Sequence, residues 1–449
     1  MAERWSDSEA RVTPSRSLEE RLQDHPELRA KMERLLGVVE NAAGDVEKAA
    51  EAERRVTEEL RQMGHEALHA WARRQAERKE QAVVQQPGVQ RKEKNVSWFT
   101  RYGPIEVVEP LFRAGTKGPE IRPLTRSAEV VCRGCSEPLQ RAIVDFGADA
   151  AGVGIPQKLK EHYGIEVSLS TCWAIVLRHA AAIEGRPQAV AEIPERDGVA
   201  QLIGEIDGSM MPVVETAEPN DQSPAVDRRT TRQVGWKEAR LSLVHAPGSV
   251  TPVFGATVGA CEEAGQSLLR TAVQAGLGRK TRVHVVSDGA PWMADQVQLQ
   301  FGLQGDFLVD FYPGCDYLAA AGDTIAGAAK RPWMEVQKDR LKQNRVQEVI
   351  AELQPFLEED TVAQAPVRAA HRYLTNRPGQ FDYQAALAAG LPIGSGEIES
   401  AHRYVIQSRL KLAGAWWKLK NAKHMLALRV CRANQEWDTY WQSRCQQAA

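Results

Sequence analysis

Residues 394–417, GSGEIESAHRYVIQSRLKLAGAWW, set two carboxylates, Glu397 and Glu399, ahead of a basic run that ends in paired tryptophans. Carboxylate oxygens beside positive charge suit a site that holds a hard cation against a polyanion, because all-oxygen ligation selects Mg²⁺ or Mn²⁺. One acid does not make such a site, so partners are expected upstream. Two aspartates qualify: Asp207 in LIGEIDGSMMPVVET and Asp288 in TRVHVVSDGAPWM, each placed before glycine. An Asp-Gly pair by itself is often only a turn. Three acids converging on one spot, however, repel one another unless cations neutralise them. Two such ions, about 3.5–4 Å apart, would activate a water or sugar hydroxyl and stabilise the leaving oxygen of a phosphodiester. Asp310, in QGDFLVDFYPG, is a spare acid, read as a strand-end residue beside the site.

The elements that must position these acids begin at Leu202, where the texture turns to alternating strands and helices. The expectation is a strand carrying Asp207, a turn at Gly208 and an extension over residues 210–216. Strands over 235–246 and 251–259 follow, then a helix over 261–277, a strand ending in Asp288, a helix, and a fifth strand ending near Asp310. Three meandering strands, a helix, a strand, a helix and a strand match a mixed α/β sheet of the ribonuclease-H-like kind. The first and fourth strands are central neighbours in such a sheet, which predicts that Asp207 and Asp288 lie side by side.

The blocks IDGSMM, VSDGAPWM, DFYPGCDYLAAAG and IGSGEIESAHRYVIQSRLKLAGAWW resemble the DDE transposases of bacterial insertion sequences, the ISKra-type group, over residues 98–441. The resemblance implies a ribonuclease-H-like catalytic domain, a preceding DNA-binding region, and a helical insertion at 316–390, between the fifth strand and the glutamate-bearing helix. It also implies that the three acids holding Mg²⁺ or Mn²⁺, as a pair of ions, fall on Asp207, Asp288 and Glu399. Glu399 is preferred to Glu397 because the acid stands in a GSGxxES-like setting. Pro313 occupies a position where similar proteins often carry His after the DFY triplet, and LFRAGTKGPEIRPL replaces their cysteine-rich strands. The implied activity is hydrolysis of a phosphodiester at each element end, followed by attack of the freed 3′-hydroxyl on target DNA. The implied partners are terminal inverted repeats, target DNA and further copies of the chain, at least as a dimer on DNA. Two other readings use the same residues: a nuclease or resolvase without strand transfer, and a DNA-binding protein that has lost its chemistry.

DNA contacts are expected from Arg403, Arg409, Lys411, Lys418, Lys420, Lys423, Arg429 and Arg432, a run over 400–435 without one acid. Such a run binds phosphates in a sequence-independent, salt-sensitive way. Trp416 and Trp417 either stack on an unpaired base or pack in a core. Arg228, Arg229 and Arg232 form a smaller basic cluster. Residues 139–185 read as a helix-turn-helix-like segment broken at Gly164, with Ser168 or Ser170 as cap and Arg178 and His179 on the second helix.

The domain organisation follows: 1–95, a mainly helical arm for dimerisation or docking; 96–200, the DNA-binding region; 201–449, the catalytic domain with its insertion. Within the arm, Leu28, Met32, Leu35, Leu36 and Val39, and then Leu60, Met63, Leu68, Trp71 and Ala72, recur at helical spacing. Arg73, Arg74, Arg78 and Lys79 are interleaved with acids and read as a solvated face. Residues 85–95 read as a linker, 98–113 as a small hairpin about Tyr102-Gly103-Pro104, and 116–126 as loop. Cys132 and Cys135 supply two thiolates, whereas a structural zinc site needs four ligands.

The net charge of -2 confines any polyanion site to a local patch. Seven cysteines, an odd number scattered through the chain, read as reduced thiols. No apolar run reaches the roughly 18–20 residues that span a bilayer, so the expected compartment is the cytoplasm, with no membrane partner. No GxxxxGK[ST] occurs and a nucleotide cofactor is not expected; Gly394-Ser395-Gly396 lacks the GxSxG elbow of a serine hydrolase.

Overall fold

The computed structural model describes residues 16–40, 48–84, 89–114, 120–128, 130, 134–188, 191–216 and 232–448. They fall into two compact units: residues up to 147 with 152–175, and residues 148–151 with 176–447.

The first unit opens with α1 (Leu18–Gln23), α2 (Pro26–Glu40) and α3 (Ala49–Val84). Ser17 and Glu20 cap α1 reciprocally, each side chain accepting from the other's backbone N–H. α2 and α3 pack together as the expected helical pair. The apolar positions divide, however: Ala72 is buried with Ala76, while Leu36, Val39, Leu60 and Trp71 stay exposed.

β1 (Val89–Thr100) and β2 (Gly103–Ala114) form a hairpin closed at Thr100↔Gly103, and β3 (Glu120–Ile121) pairs with the far end of β2. The turn lies where the sequence placed it, but the strands are longer. Residues 89–95 belong to β1 and not to a linker, and the supposed loop contains β3 and the start of α4 (Pro123–Ser127). Alternation along β2 explains this: Ile105 and Val107 face one side and are covered by Ala72 and Ala76 of α3 and Leu124 of α4. Glu109 lies on the same face, buried, and its carboxylate accepts from the N–H of Thr125 at 2.7 Å and its hydroxyl at 2.5 Å.

α5 (Glu137–Asp149), α6 (Gly154–Tyr163) and α7 (Leu169–Glu184) follow. Gly164 ends α6 in the left-handed region, and the Ser168 hydroxyl accepts from Thr171 N–H at the start of α7, as expected for a helix pair broken by glycine. Cys135 is buried; Cys132 lies outside the described residues.

In the second unit, β4 (Gln201–Glu215), β5 (Gln233–His245) and β6 (Val253–Thr257) precede α8 (Cys261–Gln274), β7 (Arg282–Ser287), α9 (Pro291–Phe301) and β8 (Gly305–Val309). They form a mixed five-stranded sheet in the order β6-β5-β4-β7-β8; β4 to β6 are antiparallel, and β7 and β8 run parallel to β4. The first and fourth strands are central neighbours, as the element order required. One expectation fails here: Gly208 is not a turn. It sits mid-strand opposite Arg240, and a Cβ there would run into the Glu238 side chain.

Strand alternation assigns the two faces of the sheet. Leu202 and Ile206 of β4, with Val283 and Val285 of β7, pack under α8 and α9 through Leu268, Leu269, Met293 and Val297. Ile203, Glu205 and Asp207 therefore share the opposite face. That face meets the C-terminal helices: α15 (Gly396–Ala401) packs on β4 and β5, and α17 (Leu419–Ala433) on β6 and β4. Along the chain, β8 and α15 are separated by α10 (Phe311–Ile325), α11 (Lys330–Lys342), α12 (Val346–Leu353), α13 (Pro366–Thr375) and α14 (Tyr383–Ala388). They make the stretch helix-rich and share a core with the sheet, in which Val349, Leu353, Val367 and Tyr383 join Leu308 and Val309 of β8.

α15 continues through a π-helical segment, His402–Gln407, into a last turn, α16 (Ser408–Leu410); after α17 comes α18 (Trp437–Ala448). Asn434, closing α17, spans the edge strand: its side chain accepts from Phe254 N–H at 2.8 Å and donates to Phe254 O at 2.9 Å, which occupies backbone groups that an edge otherwise leaves open. No described helix is long and apolar enough to cross a membrane.

Candidate functional site

β4 and β7 pair in parallel register up to Glu205↔Val286. Two residues further on, the same register sets Asp207 beside Asp288. Ser287 reinforces the alignment, its hydroxyl donating to Ile206 O at 2.7 Å. Asp288 follows the last residue of β7 and opens a tight turn in which its carboxylate accepts from Ala290 N–H at 3.1 Å. Gly289 makes that turn with φ +84, and a Cβ there would collide with Arg377 and Val309. Arg377 donates to Gly289 O at 2.9 Å and stacks over the Tyr373 ring, so the end of α13 backs the turn.

The electrostatics of the two aspartates differ. Burial raises the Asp288 pKa above the usual carboxylate range, and the nearby charge of Asp207 adds to the rise, while Arg377 and the Ala290 amide oppose it. Asp207 has a histidine and a lysine for neighbours. His402 Nε2 stands 3.2 Å from its Oδ2, and its charge partly offsets the lowering that burial imposes on the Lys411 ammonium.

Two further acids lie behind this pair. Glu205 is two residues before Asp207, on the same face, and only 1% exposed. Its Oε2 accepts from Ile398 N–H at 2.7 Å. Burial pushes its pKa up to about 8, with the Glu397 and Asp310 charges adding and the amides of Ile398 and Glu397 opposing. Asp310, also buried, caps α10 by accepting from Tyr312 N–H at 2.8 Å and holds Ser395 through both its N–H and its hydroxyl, at 2.8 and 2.5 Å.

The glutamates of α15 separate by face. Glu397 pairs with buried His245 at the end of β5, 3.2 Å away. Glu399 is exposed and makes no ion pair among the described residues. It lies three residues before His402, so the two share one side of the helix, and His402 is the residue that reaches Asp207. As the side chains stand, no group of three His, Cys, Asp or Glu residues among those described is arranged to hold a metal ion. The donor type fits Mg²⁺ at Asp207 and Asp288, two coupled carboxylates on adjacent strands; Glu399 stands on the neighbouring helix without closing on them.

The basic run splits, and the structure revises the expected helix behind Glu399. Helical structure stops at Leu410 and resumes at Leu419. Arg403, Lys418 and Lys420 are exposed and Lys411 is half-buried. Arg409 is 2% exposed, beneath the Trp417 ring at 4.8 Å. Arg429 is buried as well, bonded to Asp149, Ala148 O, Tyr404 O and Ser408. Neither guanidinium is open to solvent: Arg409 packs on Trp417, and Arg429 ties α17 to the end of α5 and to the segment after α15. The tryptophans divide likewise. Trp417 is 4% exposed, its carbonyl accepting from Val214 N–H at 2.7 Å at the far end of β4. Trp416 is 46% exposed, with the Arg232 guanidinium 4.1 Å over its ring. Arg228 and Arg229 lie outside the described residues.

On α7, Arg178 is exposed. His179 is buried, sharing a hydrogen bond with Tyr440 O–H at 2.7 Å and packing against Trp441, and burial lowers its pKa to about 4, which keeps the ring neutral. The sequence reading passed over Glu205 and His402. Each carried a periodic signal: Glu205 is two residues from Asp207 on a strand, and His402 three residues from Glu399 on a helix.

No protein-family model matches this chain, and no curated protein matches it either.

Proposed function

We propose that this chain is a DNA transposase of the DDE type, with a ribonuclease-H-like catalytic domain. It cuts a phosphodiester at the ends of its element and joins the freed 3′-hydroxyl to target DNA. The observation that carries the reading is the placement of Asp207, within β4, in register with Asp288, just past the end of β7, with α15 on the same sheet face. The strand order β6-β5-β4-β7-β8 and the helices between β8 and α15 accord with the fold this chemistry uses.

Asp207 and Asp288 would hold Mg²⁺ or Mn²⁺ as a pair of ions, with Glu399 completing the donor set. When bound, the ions supply Lewis acidity to the attacking water or hydroxyl and to the leaving 3′-oxygen. The engagement of Glu397 with His245 favours Glu399 for the third position. His402 orients the Asp207 carboxylate. Arg403, Lys411, Lys418 and Lys420 follow Glu399 in the chain, are exposed or half-buried, and would neutralise the phosphates of the strand being cut. The helices α5 to α7, with Arg178, and the 217–231 segment with Arg228 and Arg229 serve as further DNA contacts, and the paired α2 and α3 as the arm that joins copies of the chain.

A plasmid carrying the coding region with its native flanking DNA, incubated with the protein and Mg²⁺, is expected to be cut at the element ends and joined to a second plasmid. Asp288→Asn should lower cutting by on the order of 10³-fold, the loss of several kcal/mol of metal-mediated stabilisation. Undiminished cutting by Asp288→Asn would defeat the reading, and cutting without joining would move it to a nuclease.

A further inference from the structure

The segment that leads into α15 contains Gly394-Ser395-Gly396, a sequence with little conformational preference of its own. It is nevertheless stitched to the sheet at successive points. From β7, His284 Nε2 contacts Pro392 O at 2.8 Å; just past β8, Phe311 N–H donates to Ile393 O at 2.9 Å. Asp310 then takes both donors of Ser395, and Glu205 of β4 takes the amide of Ile398, the residue before Glu399.

We propose that Glu205 and Asp310 are positioning carboxyl groups: they tether residues 395–398 to the body of β4 and the end of β8 and thereby set where Glu399 stands, without themselves holding a metal ion. The inference rests on Glu399 being the third acid of the proposed site. The geometry separates these two acids from Asp207 and Asp288. Both oxygens of Asp310 are engaged by protein donors. Glu205 is sealed from solvent on the central strand, and its oxygen is aimed at backbone amides of α15. A carboxyl group in that position, protonated or ionised, offers a fixed acceptor oxygen to the Ile398 and Glu397 amides in the first turn of α15, which have no intrahelical partner.

The acceptor role gives the test its discriminating power, because an amide oxygen can replace it and a methyl group cannot. In hydrogen–deuterium exchange of the full chain without metal or DNA, Glu205→Ala should speed exchange of the amides at 396–401 by roughly tenfold, the equivalent of one lost hydrogen bond. Glu205→Gln should leave it near wild type. In the plasmid assay, Glu205→Ala should lower the cutting rate at least as much, with DNA affinity unchanged, and Glu205→Gln should restore it. Asp310→Ala releases the same segment at Ser395 and gives the same readout should Glu205→Ala not fold. A folded Glu205→Gln protein as inactive as Glu205→Ala would overturn the proposal, since the charge and not the acceptor would then be needed. Unchanged exchange at 396–401 in both alanine variants would overturn it too. A wild-type protein that cuts no DNA sinks the transposase reading alone, and the exchange pattern still decides whether the tether exists.

Discussion

Glu205 offers a quantitative check that is independent of function. Its carboxyl is buried among the strands, and its pKa is raised from 4.5 to about 8. In the unfolded chain the group ionises near its ordinary value, so between pH 4.5 and 8 the folded protein holds a proton that the unfolded chain has lost. Stability from this group is therefore fully present below pH 4.5 and is lost as pH rises through 8, with a maximal slope of about 1.4 kcal/mol per pH unit. Across the whole interval the loss is up to roughly 5 kcal/mol, on the scale of the entire stability of a domain. Glu205→Gln removes the titration and keeps an acceptor for Ile398 N–H. The assay is the urea midpoint of wild type and Glu205→Gln at pH 5, 7 and 9, in EDTA so that metal binding does not enter. Other titrating groups are common to both proteins and cancel in the difference. The variant is expected to gain on wild type progressively from pH 5 to 9. Parallel pH profiles, or a variant that loses ground as pH rises, would refute the reasoning, because Glu205 would then ionise in the folded state as easily as in the unfolded chain.

Arg429→Met should destabilise the second unit by roughly 3–5 kcal/mol, since it strips a buried guanidinium from Asp149 and four further oxygens that stay behind; a melting temperature equal to wild type would count against it. Trp417→Ala should cost a similar 3–5 kcal/mol through the cavity it leaves, whereas Trp416→Ala, at an exposed position, should change stability little, and equal melting temperatures for the two variants would contradict the division of the pair. Alanine at Arg403, Lys418 or Lys420 should each reduce the slope of log affinity against log salt by about 0.9 for duplex DNA, measured by fluorescence anisotropy, and an unchanged slope would remove that residue from the interface.

The two kinds of information are clearest in the site itself. Strand alternation and element order were legible in the sequence because a buried central strand must be apolar and a crossover must be helical. Those rules sufficed to place Asp207 beside Asp288. The same local rules misread Gly208 as a turn, since a glycine opposite a crowding Glu238 looks no different in sequence from one at a hairpin. The fates of Arg409, Arg429, Trp416 and Trp417 were not legible either. Basic and aromatic residues at similar spacing face solvent or core according to which distant segment covers them, and here the covering residues include Asp149 and Val214, more than two hundred positions away along the chain.

By itself, then, the sequence determined the alternating strands and helices, the helix pair broken at Gly164, and the two aspartates on adjacent strands in register, all consequences of periodicity and backbone preference. Tertiary structure alone decided that Glu397 turns to His245 while Glu399 faces outward, that Glu205 and Asp310 hold the start of α15, and that Arg409 and Arg429 of the basic run are internal. Those outcomes depend on which buried donors and acceptors find one another across the fold, and a buried polar group is satisfied by proximity in space and not by spacing along the chain.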